Sequence, residues 1–136
     1  MNHVALIQAF ERADVTITAW ERAVQAGEVL PLPVLVDEAA LLVKQLIVAY
    51  MEDMDCEAPP LDEDLLEVFK ALVKGDPSWN TIRDNCRELV FYKNCLLMDR
   101  ADALPVKPET MTVRTVRHIF LFMKTRAMRE ARLEMA

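Results

Sequence analysis

Glycine is nearly missing from this chain: Gly27 and Gly75 are the only two in 136 residues. Hairpins and bulges draw on glycine for positive φ, so this scarcity argues against a sheet protein and for helices. Cysteine is scarce as well. Cys56, Cys86 and Cys95 form no C-x-x-C pair and leave an odd thiol, which argues against a disulfide framework and predicts a reducing, cytoplasmic setting. The longest apolar stretches are broken by Lys44 and Gln45, short of the ~20 residues a membrane span needs. The opening MNHVALIQAFERAD has no basic n-region before an apolar run, so no secretory signal is expected.

What is present points one way. The chain is 53% hydrophobic and 28% charged, a globular composition, and it is rich in Ala, Leu, Met and Glu, which favour helix. Its length suits one domain, residues 1–136, with one core. The expected fold is all-α: a compact bundle of about five helices around a nearly all-apolar central helix, about 34–54. In that stretch, VLVDEAALLVKQLIVAYMEDM, the polar residues fall in one narrow wedge, and Leu41 and Val48 interrupt even that. Such a helix is the buried centre of a bundle or has a second partner.

Around it the punctuation is clear. Asn2 is a good N-cap for a first helix that Gly27 closes, with Leu6, Phe10, Ala13, Ile17, Trp20 and Val24 as its apolar stripe. Pro31 and Pro33 stop the chain, and either Pro33 at the first position or Asp37 as N-cap opens the second helix, which is expected to reach about Asp55. Pro59 and Pro60 break it again. A third helix is expected over Asp62–Lys74, with Leu65, Leu66, Phe69, Leu72 and Val73 inward and Gly75 at its end. Asp76-Pro77 is an N-cap followed by proline, predicting a fourth helix to about Arg100 that buries Ile82, Cys86, Leu89, Val90, Leu96 and Leu97. The fifth opens near Pro108 and is expected to run on toward the C-terminus, with Val113, Val116, Phe120, Met123, Ala127 and Ala131 on its core side.

Net charge is −6, unevenly placed. Residues 37–67 hold ten acids against Lys44 alone, whereas residues 105–136 hold seven bases against three acids. An acidic middle and a basic end can pair within a molecule, between subunits or with a partner. The run Asp53-x-Asp55-x-Glu57 resembles the start of a calcium loop, but Ala58 stands where the turn needs glycine and Asp64 where a bidentate Glu is needed, so no metal site is expected. No cofactor fingerprint or catalytic motif is present: His3 and His118 share no local motif, and no Glu-x-x-His pair appears.

The best lead is a second stripe on the last helix, Arg114, Arg117, Leu121, Lys124, Met128 and Arg132, with an apolar centre and cationic rim that suits a protein partner. A smaller apolar triplet on the back of the fourth helix, Phe91, Cys95 and Met98, is a possible second contact patch. These readings predict a non-enzymatic interaction or regulatory module, acting as a homodimer or as a subunit of a larger assembly. The main alternative is nucleic-acid binding, through the third helix–turn–fourth helix segment with Asn80, Thr81, Arg83, Asn85 and Arg87, or through the basic last helix; the sequence pI of about 4.9 counts against it. A small enzyme would need Tyr50, Tyr92 or His118 to converge on a pocket, which sequence alone does not display.

Overall fold

The computed structural model describes residues 2–133. Among them the protein is all-helical, with five α-helices packed as a bundle: α1 Val4–Gln25, α2 Leu32–Asp53, α3 Leu65–Gly75, α4 Arg83–Leu97 and α5 Pro108–Arg129. Short 3-10 segments, Pro77–Ile82 and Ala101–Ala103, precede α4 and α5. No helix among the described residues is long and apolar enough to cross a membrane.

Helix α2 is the centre. It packs broadly against all four other helices and buries Leu35, Val36, Ala39, Leu42, Val43, Leu46, Ile47, Tyr50 and Met51. Helix α1 lies beside α2 and α5, and its stripe is buried as its three-and-four spacing predicts, with Val24 half-covered. One contiguous core draws on every helix, and Phe10 meets Phe120 edge-to-face at 5.6 Å within it. No neighbour fully covers the outer side of α2: Leu41 remains 40% exposed and Val34 51%.

Several boundaries differ from the sequence expectation for physical reasons. Helix α1 begins at Val4 with His3, not Asn2, at the N-cap; Asn2 stands one residue earlier, where its side-chain oxygen accepts the Val4 amide at 3.0 Å. Helix α2 begins at Leu32, so Pro33 lies in its first turn and Asp37 is interior, not a cap. Helix α3 begins at Leu65, after Asp62. Asp76-Pro77 opens a 3-10 turn instead of α4 itself; the Asp76 carboxylate accepts the Ser78 amide at 3.0 Å. Three residues per turn put Trp79 and Ile82 on one face, and both are fully buried there. Leu97, expected in the core, is 73% exposed, and Ala131 is exposed beyond the end of α5.

The shortage of glycine shows at the helix ends. Gly27 ends α1 at φ 72°, where the Glu28 amide reaches back to the Ala23 carbonyl at 2.9 Å. The same left-handed closure ends α2, α4 and α5, but there Asp55 (φ 58°), Asp99 (φ 54°) and Ala131 (φ 59°) must supply it. The amides of Cys56, Arg100 and Arg132 close these turns onto Met51, Cys95 and Ala127 at 2.9, 2.7 and 2.8 Å. An L-residue in this conformation is strained, an aspartate less so than an alanine.

Candidate functional site

Helix α1 runs antiparallel to α2 and α5 runs parallel to it, so the start of α1 and the ends of α2 and α5 gather polar groups at one end of the bundle. Asp53, at the last turn of α2, accepts from His3 Nδ1 at 2.8 Å and from Arg132 Nη1 at 2.7 Å. Arg132 Nε donates to Glu130 at 2.9 Å, and Glu130 also takes Arg126 Nε at 3.2 Å and the Tyr50 hydroxyl. Arg126 continues the chain of contacts to Asp76 and, at 2.7 Å, to Ser78 Oγ. Its guanidinium lies 3.9 Å over the ring of buried Trp79, which Tyr50 and Phe122 meet edge-on.

The charges in this network hold one another in place. Burial would raise the Asp53 pKa, but hydrogen bonds from His3 and Arg132 outweigh it and hold the carboxyl below its ordinary value. Glu130 is likewise lowered: desolvation acts upward, and hydrogen bonds from Tyr50, Arg132 and Arg126 win. The Ser78 side chain and amide, with Arg126, lower Asp76. Burial and the Glu130 carboxylate push the Tyr50 hydroxyl well above the usual phenol range. A phenol so held stays protonated and donates; it is a poor general base at neutral pH.

Helix α5 distributes its predicted stripe over several roles. Arg117 turns onto α1, donating to Asp14 at 2.7 Å, to Thr18 at 3.1 Å and to Glu21 through two nitrogens at 2.8 and 3.0 Å. These bonds raise its pKa against the opposing effect of burial. Lys124 lies over the Phe120 ring and Met128 is half-covered, whereas Arg132, expected on the helix, falls beyond its end at Arg129 and belongs to the end network. Arg114 and Leu121 face solvent, Leu121 with 51% of its surface exposed. Beside Leu121 runs an open groove of about 680 Å³ between α5 and the 77–82 turn, bordered by Thr81, His118, Thr125 and Arg129.

The triplet on α4 separates. Phe91 and Met98 are 49% and 72% exposed, whereas Cys95 is buried with 5% exposed. Cys95 follows the buried Cys86, Leu89 and Tyr92 at three-residue spacing, which puts it with the inward-facing residues of α4. The exposed apolar set at this end of α4 is therefore Phe91, Leu97 and Met98. Tyr92 donates to Glu88, which also receives Thr115 at 3.3 Å, so Tyr50 and Tyr92 are committed to different carboxylates. Cys86 is fully buried, and burial pushes its thiol up to about 12.

The acidic middle meets the basic end at one residue: Asp53 alone of residues 52–64 forms an ion pair with Arg132 among the described residues. Basic side chains of α3 and α4 collect elsewhere, around a small cleft between those helices. Sequence reasoning missed both the end network and the Arg117 clasp. The available signal for the clasp was Asp14, Thr18 and Glu21, three polar residues at spacings of four and three along one flank of α1. No family model, no curated protein and no solved structure matches the chain.

Proposed function

We propose that the chain is a non-enzymatic helical interaction module that works through protein contacts, as a homodimer or as a subunit of a larger assembly, in a cytoplasmic setting. The observation that carries this reading is Leu121, half exposed on the outer face of α5 at the edge of an open groove. Single exposed apolar residues are ordinary. One that borders a groove and stands among Arg114, His118 and Arg129 has the make-up of an interface anchor with a polar rim. The stripe then divides its work. Arg117 and Arg132 position α5 on the bundle, while Arg114, Leu121, Lys124 and the exposed part of Met128 meet the partner.

Other observations lean the same way. Phe91, Leu97 and Met98 leave a second apolar surface at the end of α4. Of the groups best able to carry acid–base chemistry, His3, Tyr50 and Tyr92 each hydrogen-bond a carboxylate in a structural pairing, and His118 stands exposed at the α5 groove. Nucleic-acid binding through α5 is disfavoured, because a phosphate would have to displace the carboxylates that hold Arg117, Arg126 and Arg132.

The test is Leu121→Asp, a change on an exposed position that leaves the core intact. Tagged wild-type chain expressed with an untagged copy in its native host should retain that copy or a defined partner. The variant should lose it with unchanged helicity and melting. Equal retention by both proteins would count against the α5 contact.

A further inference from the structure

In a protein of net charge −6, four cations converge on one cleft. The cleft lies between α3 and α4, encloses about 260 Å³ and has Leu66, Phe69 and Val73 as its apolar wall. Lys70, Lys74, Arg83 and Arg87 stand around it. Internal pairing quenches them little. Lys70 makes an exposed pair with Glu67 at 3.1 Å, and Arg83 approaches Asp84 only at 3.8 Å. Lys74 and Arg87 form no ion pair among the described residues. The arginines of α5 that face carboxylates, by contrast, are clasped within the fold.

We propose that this cleft is the docking site for a short acidic segment of a partner protein, one with an apolar anchor side chain that enters between the helices while its carboxylates meet the four cations. The proposal rests on the reading of the chain as an interaction module, but it uses a face other than that of α5. Charge complementarity selects an anion, and the apolar wall selects one with a hydrophobic anchor. The volume is below the ~300 Å³ at which small-molecule pockets usually begin, so it suits one or two side chains of a longer ligand.

Geometry also favours a short acidic peptide over a nucleic acid. Helix α3 has 11 residues and so spans about 16 Å. The exposed acids Asp62, Glu63 and Asp64 stand immediately before its first turn. A duplex carries a charge every ~1.7 Å along its axis, so one laid along α3 from Lys74 would bring phosphates onto those acids. A peptide whose acids are confined to the cleft avoids them. Arg and carboxylate can pair through two parallel bonds, which gives Arg83 and Arg87 directional as well as electrostatic selectivity.

The experiment is fluorescence anisotropy with three labelled probes: a peptide with one Trp flanked on both sides by Glu, the same peptide with every Glu changed to Gln, and a DNA duplex of matched length. Each is titrated with the full chain as wild type, as Arg83→Glu with Arg87→Glu, and as Leu121→Asp. The acidic peptide should bind wild type, weaken as salt rises, and lose roughly tenfold or more with the arginine reversal. The Gln peptide should lose a comparable amount. Leu121→Asp should leave the peptide affinity unchanged, which separates failure of this site from failure of the α5 contact. Both arginines are exposed, so helicity should persist; if it falls, Lys74→Glu, also exposed, replaces them with the same expectation. The proposal is overturned by no binding at low salt, by equal binding to the reversed protein, or by a duplex that binds as tightly as the peptide. It is also overturned if the wild type self-associates in a way that excludes the peptide and disappears with the arginine reversal, since the occupant would then be a second copy.

Discussion

Replacing Ala131 with glycine should make this protein more stable, although it deletes a methyl group and adds chain entropy. Ala131 closes α5 at φ 59° and is exposed, so its side chain contributes no core packing. An L-residue in the left-handed region costs about 1–2 kcal/mol, which glycine avoids. Glycine gives back about 0.4–1 kcal/mol through the freer unfolded chain. The net gain expected is about 0.5–1 kcal/mol, or about 2–4 °C in melting temperature for a chain of this size. Gly27 supplies the mirror experiment. It sits at φ 72° with nothing within 4 Å of where a Cβ would be, so Gly27→Ala meets no clash and should lose about 1 kcal/mol from backbone strain alone. The assay is urea and thermal denaturation of both variants and of Ala131→Val, whose β-branch should cost more than alanine does in the same conformation. An unchanged or lower stability for Ala131→Gly, with helicity intact, would refute the left-handed closure of α5.

Three further outcomes follow from the polar contacts. Arg117→Ala removes the clasp on Asp14, Thr18 and Glu21 and should cost about 1–2 kcal/mol in denaturant unfolding at low salt, with Arg117→Lys restoring only part, because lysine cannot reproduce the forked geometry. The carboxyls of Asp53, Asp76 and Glu130 titrate below their ordinary values in the folded protein. Their contribution is therefore complete above the unfolded carboxylate range, about pH 4, and is lost as pH falls through the lower folded values; Asp53→Asn should flatten that acid limb in urea titrations at successive pH values. Among the thiols, Cys56 is exposed and should react with maleimide in the native state, whereas Cys86 and Cys95 should react only on unfolding, as mass spectrometry of a labelling time course would reveal. Rapid native labelling of Cys86 would contradict its burial.

Much of the fold is legible in the sequence because its signals are strong and local. The stripe of α1 from Leu6 to Trp20, the nearly all-apolar α2 and the prolines between helices each follow from periodicity and backbone restriction. Helix ends are less legible. Nothing local distinguishes Asp99 or Ala131 as left-handed closures, since neither residue is a usual choice there, and the end of α4 moved with Asp99. The site was the least legible part. Arg114 and Leu121 read correctly as solvent-facing, yet Arg117 on the same stripe is held by α1, and Arg132 falls beyond the end of α5 and is held by the end of α2. Periodicity along one helix gives its faces but not the acids of the helix packed beside it. Cys95 illustrates the same limit: its spacing fits both Phe91 and Met98 and the buried row Cys86, Leu89 and Tyr92, and the packing of α4 placed it with the latter.

The most direct test of the account is sedimentation equilibrium of purified wild-type chain and Leu121→Asp, each alone and with whatever protein the tagged wild type retains from its host. Wild type is expected to sediment as a dimer or as part of a heteromeric complex, and Leu121→Asp as a folded monomer both alone and with that protein. A wild-type chain that stays monomeric and retains nothing the variant loses would contradict the account.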